Sequence, residues 1–107
     1  MNTFPAKRSE ADIKRAIELY LKAKGCLVIP YRTTGINTAT RGWIPARRCG
    51  ISDLLGLDKY GKFFAIEVKR PGGKLTFEQQ QFLDSVRSFG CKGFVATSII
   101  DVQREGL

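Results

Sequence analysis

Three side chains close together in the chain could do chemistry as a set. They are Asp53, Glu67 and Lys69, in the stretch GISDLLGLDKYGKFFAIEVK at 50–69. A three-residue hairpin loop of Lys59, Tyr60 and Gly61, with Gly61 left-handed, pairs Asp58 with Lys62, Leu57 with Phe63 and Leu55 with Ala65. In that register Asp53 stands opposite Glu67. Directly opposed residues have Cβ atoms about 4.5 to 5.5 Å apart, where two carboxylates repel. A divalent cation between them reverses the sign, and oxygen donors at that reach suit Mg²⁺ or Mn²⁺. Side chains alternate along a strand, so Lys69 shares the face of Glu67 and would aim its ammonium at a phosphate or an attacking water, while Phe64, Ile66 and Val68 fill the other face. Gly50, just before Asp53, would leave room for a phosphate backbone. The plainer alternative is a solvated strand edge at Asp53 with a surface Glu67–Lys69 pair.

Histidine is absent from the 107 residues. That removes Ser/His/Asp triads, Cys/His pairs and HExxH zinc hydrolases, and leaves carboxylates, lysine, tyrosine or an oxygen-bound metal. Cys26, Cys49 and Cys91 are odd in number and far apart, so they outline neither a disulfide framework nor a zinc knuckle. GGKLT is not a phosphate-binding loop, because Leu follows the lysine and Val68 occupies the place of the required first glycine.

The charge of +8 is uneven: residues 1–50 carry ten Lys/Arg against three Asp/Glu, and residues 51–107 eight against seven. The first half is therefore the side expected to meet a polyanion. Its stretch YRTTGINTATRGWIPARRCG (31–50) holds Arg32, Arg41, Arg47 and Arg48 with no acid, beside Tyr31 and Trp43. Arginines reach phosphates bidentately and aromatic rings stack on unpaired bases, so Arg32, Arg41, Trp43, Arg47 and Arg48 are candidate DNA contacts. Arg70 and Lys74, in RPGGK, join them. A solvated basic loop with Trp43 tucked beneath it is the alternative.

The elements that must position these residues read in the order α-β-β-β-α-β. Ser9 caps a helix carrying Ile13, Ile17, Tyr20 and Leu21 that Gly25 stops. CLVIPY (26–31) predicts a short buried strand, followed by a long loop and the hairpin already described. Pro71 and the glycines end the second hairpin strand. Thr76 caps a second helix with the stripe Phe82, Leu83, Val86 and Phe89, closed by Gly90, and CKGFVAT (91–97) makes another strand. SIIDVQREGL allows only a capped turn. The length suits one domain over 1–107, and the 43% apolar share suits a globular fold. No apolar run approaches the roughly 18 residues of a membrane span, and no signal-peptide apolar region opens the chain. An intracellular setting is expected, in the cytoplasm of a bacterial or virus-infected host cell.

GISDLLGL followed by FFAIEVKRPGGKLTFEQQQFL resembles the PD-(D/E)XK nucleases, and more narrowly the stand-alone VRR-NUC (virus-type replication and repair nuclease) group. The resemblance runs from about Ser9 to Thr97. Ser52 stands where the superfamily motif has proline. The resemblance implies a restriction-endonuclease-like α/β core, a mixed sheet flanked by helices. It implies that Asp53 and Glu67 are metal ligands, that the Val68 backbone carbonyl is another, and that Lys69 orients or activates water. It also points to Gln79 and to an acid on the first helix. Glu10 fits the latter best, three and seven residues before Ile13 and Ile17 on the inward stripe, with a ligand role through water. Glu18, with Lys14, Arg15 and Lys22 at helical spacing, reads as a solvated salt-bridge face. Each has an ordinary alternative: Gln79 completes a capping box with Thr76, and Glu10 offsets a helix dipole.

The expected function is Mg²⁺- or Mn²⁺-dependent endonucleolytic hydrolysis of branched or duplex DNA, with no membrane partner. Likeness to junction-resolving nucleases implies a homodimer and a Holliday-junction-like substrate. Candidate dimer surfaces are the loop residues Ile36, Trp43 and Ile44 and the tail residues Ile99, Ile100 and Val102. A non-catalytic basic nucleic-acid binding module on the same core, and an RNA-directed enzyme, are the alternatives.

Overall fold

The computed structural model describes residues 8–30, 36–40, 42–44 and 50–107. Helix α1 (Glu10–Ala23) starts at a reciprocal cap. Asp12 N–H donates to the Ser9 hydroxyl at 3.1 Å, and Ser9 N–H donates to the Asp12 carboxylate at 3.3 Å. Ile13, Ile17 and Leu21 recur at helical spacing and are buried, and Gly25 ends the helix at φ 86°. The strands and helices that follow are β1 (Leu27–Val28), β2 (Ile36–Thr38), β3 (Gly42–Ile44), β4 (Leu54–Leu57), β5 (Phe63–Val68), α2 (Phe77–Ser88), β6 (Lys92–Ala96) and α3 (Ile99–Arg104).

Four strands form a mixed sheet in the order β1-β4-β5-β6, antiparallel except for the β5/β6 pair, which α2 connects in parallel. The β4–β5 turn is the one the sequence indicates. Leu55 pairs with Ala65 and Leu57 with Phe63, Gly61 sits at φ 81°, and the Asp58 carboxylate accepts the Tyr60 and Lys62 N–H groups at 2.8 and 2.9 Å. Each sheet face has its own core. Phe64, Ile66 and Val68 pack with α1, Phe94, Ala96 and Val102, while Ala65 packs with Leu83 and Val86 of α2.

Several expectations change. CLVIPY shrinks to two strand residues at the sheet edge with Leu27 exposed rather than buried, because Pro30 cannot extend a ladder. The long loop contains a hairpin of its own, β2 against β3, with Ile36 opposite Ile44. The tail forms a helix, and Val102 is fully buried in the core, so it is unavailable to a dimer surface; Ile99 is half-buried and Ile100 exposed. Phe89 leaves the buried stripe and is 85% exposed, since α2 ends at Ser88 and the chain turns away through Gly90 at φ 81°.

Gly56 is the tightest point of the sheet. A Cβ there would run into the Leu27 carbonyl oxygen and the Phe64 ring. Gly61, by contrast, has open space around it and needs glycine only for its positive φ. Gly56→Ala is expected to lower stability by at least about 2 kcal/mol through overpacking, and Gly61→Ala by about 1 kcal/mol through backbone strain. Urea denaturation midpoints measure both, and equal losses would contradict this account.

Candidate active site

Glu67 is the last residue but one of β5 and lies 3% exposed, on the sheet face shared with Ala65. Asp53 immediately precedes β4. The ladder stops at the Leu54/Ile66 pair, and beyond it the Asp53 side chain substitutes for a backbone acceptor: Val68 N–H donates to Asp53 Oδ2 at 2.9 Å. That bond turns the Asp53 carboxyl onto the end of β5, close enough for the carboxyl of Glu67 to feel its presence. The expected juxtaposition is therefore present, made by a side-chain bond in place of a strand pair.

Burial above all, then the hydrogen bond and the charge of Asp53, push the Glu67 carboxyl up to about 9, and Glu10 adds in the same direction. Lys69 opposes them. Its Nζ lies 3.9 Å from Glu67 Oε2, the outer reach of an ion pair, with most of the side chain covered. One oxygen, Glu67 Oε1, is buried without a hydrogen-bond partner. Two neighbouring carboxyls, one with an unsatisfied oxygen, form a donor set that a proton or a hard cation stabilises.

Lys69 is held by the turn after it. Its N–H donates to the Ala96 carbonyl at 3.1 Å, and Gly73 N–H closes back on the Arg70 carbonyl at 2.8 Å, with Pro71 and a left-handed Gly72 at φ 85° between them. Gly73 faces the Lys69 stem. A Cβ at Gly73 would stand 3.2 Å from Lys69 Cβ, so a side chain there would crowd the lysine.

Other expected site residues are distributed around this centre. Glu10 is exposed, against the inward placement its spacing indicates, yet it overlooks the site, with Arg70 N–H directed at its carboxylate at 3.5 Å. Gln79 is half-buried, and its Oε1 accepts the Thr76 N–H at 2.9 Å while Gln79 N–H donates to Thr76 Oγ1 at 3.1 Å, so the capping box is real. Gly50 offers no room for a phosphate backbone. At φ 74° it lies against α2, where a Cβ would come 2.5 Å from the Glu78 backbone. Arg70 and Lys74 are exposed beside the turn. Arg32, Arg41, Arg47 and Arg48 lie outside the described residues, as do the side chains of Ile36, Trp43 and Ile44. Cys26 and Cys91 are free and half-buried, and burial raises the Cys26 thiol.

Two features had no sequence signal. Ser52 is fully buried with an unpartnered hydroxyl next to Asp53, and the Gly73 contact to Lys69 depends on a turn folding back. Among the described residues no three His, Cys, Asp or Glu side chains cluster to hold a metal by themselves. Asp53 and Glu67 with the Val68 carbonyl are the oxygen donors that could hold one. Mg²⁺ commonly takes only one or two carboxylates and keeps water or phosphate in its remaining positions.

The comparisons with known proteins bear on the family and the fold. The VRR-NUC domain family model matches residues 35–99, more than half of the chain. A solved structure described as a VRR_NUC domain superposes with a TM-score of 0.63 at 24% identity, over 89% of this chain and 90% of that one. No curated protein sequence matches. The chain belongs to the VRR-NUC family and has its nuclease-type fold. Among the described residues no helix is long and apolar enough to cross a membrane.

The protonated Glu67 has a consequence for stability. Its folded-state value is raised, so between the ordinary carboxylate range and about 9 the native state binds a proton that the unfolded chain has released. Stability then falls as pH rises through that window. In EDTA, melting temperature is expected to decline from pH 5 towards pH 9 in the wild type and to decline less in Glu67→Gln, which is the more stable of the two at the alkaline end. Parallel curves would rule out a raised Glu67.

Proposed function

We propose that this protein is a Mg²⁺- or Mn²⁺-dependent endonuclease acting on DNA. The observation that carries the reading is the buried Glu67 carboxyl with its orphaned oxygen, beside an Asp53 carboxylate fixed by the Val68 N–H and within reach of Lys69, in a member of the VRR-NUC family. Asp53, Glu67 and the Val68 carbonyl would hold the ion, with Glu10 contributing through water. Bound there, it would supply Lewis-acid polarisation of a phosphoryl oxygen and a lowered pKa for water.

The chain's own groups do the rest. Val68 N–H fixes the Asp53 carboxylate, so that oxygen is oriented before any substrate arrives. Lys69, held by the Arg70–Gly73 turn, donates hydrogen bonds towards the negative charge that grows on the phosphoryl oxygens and orients the attacking water. The Gln79 amide group not used by the cap is a further donor. Arg32, Arg41, Trp43, Arg47, Arg48, Arg70 and Lys74 engage the DNA. All three central residues are intact, which favours catalysis over a purely binding module.

Glu67→Ala, Asp53→Asn and Lys69→Ala are each expected to lower Mg²⁺- or Mn²⁺-dependent cleavage of a panel of structured DNAs by at least about 10²-fold. Circular dichroism should remain that of the wild type. Full activity in Glu67→Ala would overturn the assignment.

One centre of this kind cuts one strand. Symmetric cleavage of a four-way junction requires two copies about a two-fold axis, and a homodimer acting on such junctions is the form this reading takes. Light scattering is expected to give about twice the monomer mass, with paired, symmetric incisions in junction DNA. A monomer that only nicks duplexes would remove the junction-resolving role and leave the nuclease.

A further inference from the structure

Helix α1 carries a second row of side chains beside its buried one. Lys14, Glu18 and Lys22 follow Ile13, Ile17 and Leu21 by one position each, at the four-residue spacing that aligns side chains along one face. The sequence alone assigns this row to a solvated salt-bridge surface, and Lys22 does pair with Glu18 at 2.9 Å. Its surroundings say more. The row lines a groove of about 390 Å³ together with Val28, Ile29 and Pro30 after β1 begins and with Asp53 and Leu54 at the start of β4. Lys14 is half-buried in it and makes no ion pair with any described residue.

We infer that this groove is the track along which the DNA strand bearing the scissile phosphate runs to and from the site, with Lys14 and Lys22 on its phosphates. The inference rests on the nuclease reading and extends it to a surface that reading does not use. Three observations carry it. First, Asp53 lines the groove together with the helix row, so a strand held there reaches one of the two acids of the site. Second, eight helical residues separate the two lysines, about 12 Å along the helix axis, which spans several nucleotides at roughly 3.4 Å rise each. Third, the lining from Val28, Ile29 and Pro30 is apolar, a surface that sugar faces can cover without losing hydrogen bonds.

Glu18 gives the proposal its distinguishing sign. It lies between the lysines, neutralises Lys22 in the free protein, and puts a negative charge where a phosphate would pass. A plain salt-bridge face predicts that removing Glu18 does nothing to DNA affinity. A DNA track predicts that removing it helps.

The test is fluorescence anisotropy of a fluorescein-labelled four-way DNA junction in EDTA, titrated with the full chain across a series of KCl concentrations. Alanine is a good helix former, so Lys14→Ala and Lys22→Ala keep α1 intact. Lys14→Ala is expected to reduce the slope of log affinity against log salt by about 0.9, and the double variant by about twice that. Glu18→Gln should tighten binding about two- to fivefold at low salt. Unchanged slopes in the lysine variants, or a Glu18→Gln protein that binds no more tightly, overturn the track while wild-type binding leaves the nuclease reading intact. If the wild type binds neither the junction nor a labelled duplex, the track and the nuclease reading fall together.

Discussion

A carboxyl group buried beside another carboxyl is the constraint around which this end of the fold is arranged. Glu67 sits in the sheet interior where its charged form loses hydration, and Asp53 adds a second acid beside it. Neither would be placed there for stability, since both desolvation and repulsion act against the native state. The surrounding structure has to impose the arrangement. It does so with the β4–β5 register, set by the Asp58–Lys62 turn, and with the Val68 N–H that captures Asp53 where the ladder ends. The cores on both sheet faces supply the apolar burial against which that local cost is set.

The same logic explains why so much conformational specialisation gathers at this end of the sheet. Gly50 permits the approach to α2, and Gly72 and Gly73 fold the chain back beside Lys69. Thr76 and Gln79 then cap the next helix reciprocally. Each device is local. Their shared effect is to hold two acids and a lysine, which come from separate strand ends, in one small volume. A rigid arrangement of this kind spares the reorganisation that would otherwise accompany charge development on a phosphate.

On the proposed nuclease reading, binding and chemistry are divided between regions of opposite character. The acids converge at the ends of β4 and β5, whereas the excess positive charge belongs to the first fifty residues. Helix α1 spans the two. Its inner row packs the core, Glu10 overlooks the site, and its Lys14–Lys22 row flanks the groove that Asp53 also lines. A helix that packs through one row and faces a polyanion through the next couples the placement of the substrate to the stability of the sheet.

The sequence by itself determined everything that short-range physics encodes. The Ser9 cap, the Thr76–Gln79 capping box, the Gly61 turn, the β4–β5 register and the alternation that puts Phe64, Ile66 and Val68 opposite Glu67 follow from residues within a few positions of one another. The VRR-NUC resemblance rests on those same stretches. Tertiary structure alone decided what depends on distant segments meeting. It made Leu27 an exposed edge, buried Val102 and released Phe89, because burial is set by what packs from elsewhere in the chain. The β2–β3 hairpin carries no sequence signature because INT and GWI each offer too few alternating residues to register as strands. Tertiary structure also gave the room beside Gly50 to Glu78 and left Glu10 exposed on a stripe that reads as inward, since it opens the helix and burial begins only at Ile13. Above all it turned an ordinary row of helical charges into the lining of a groove, which no periodicity can reveal, because the rest of the lining, Asp53 included, comes from segments about fifteen and forty residues further along.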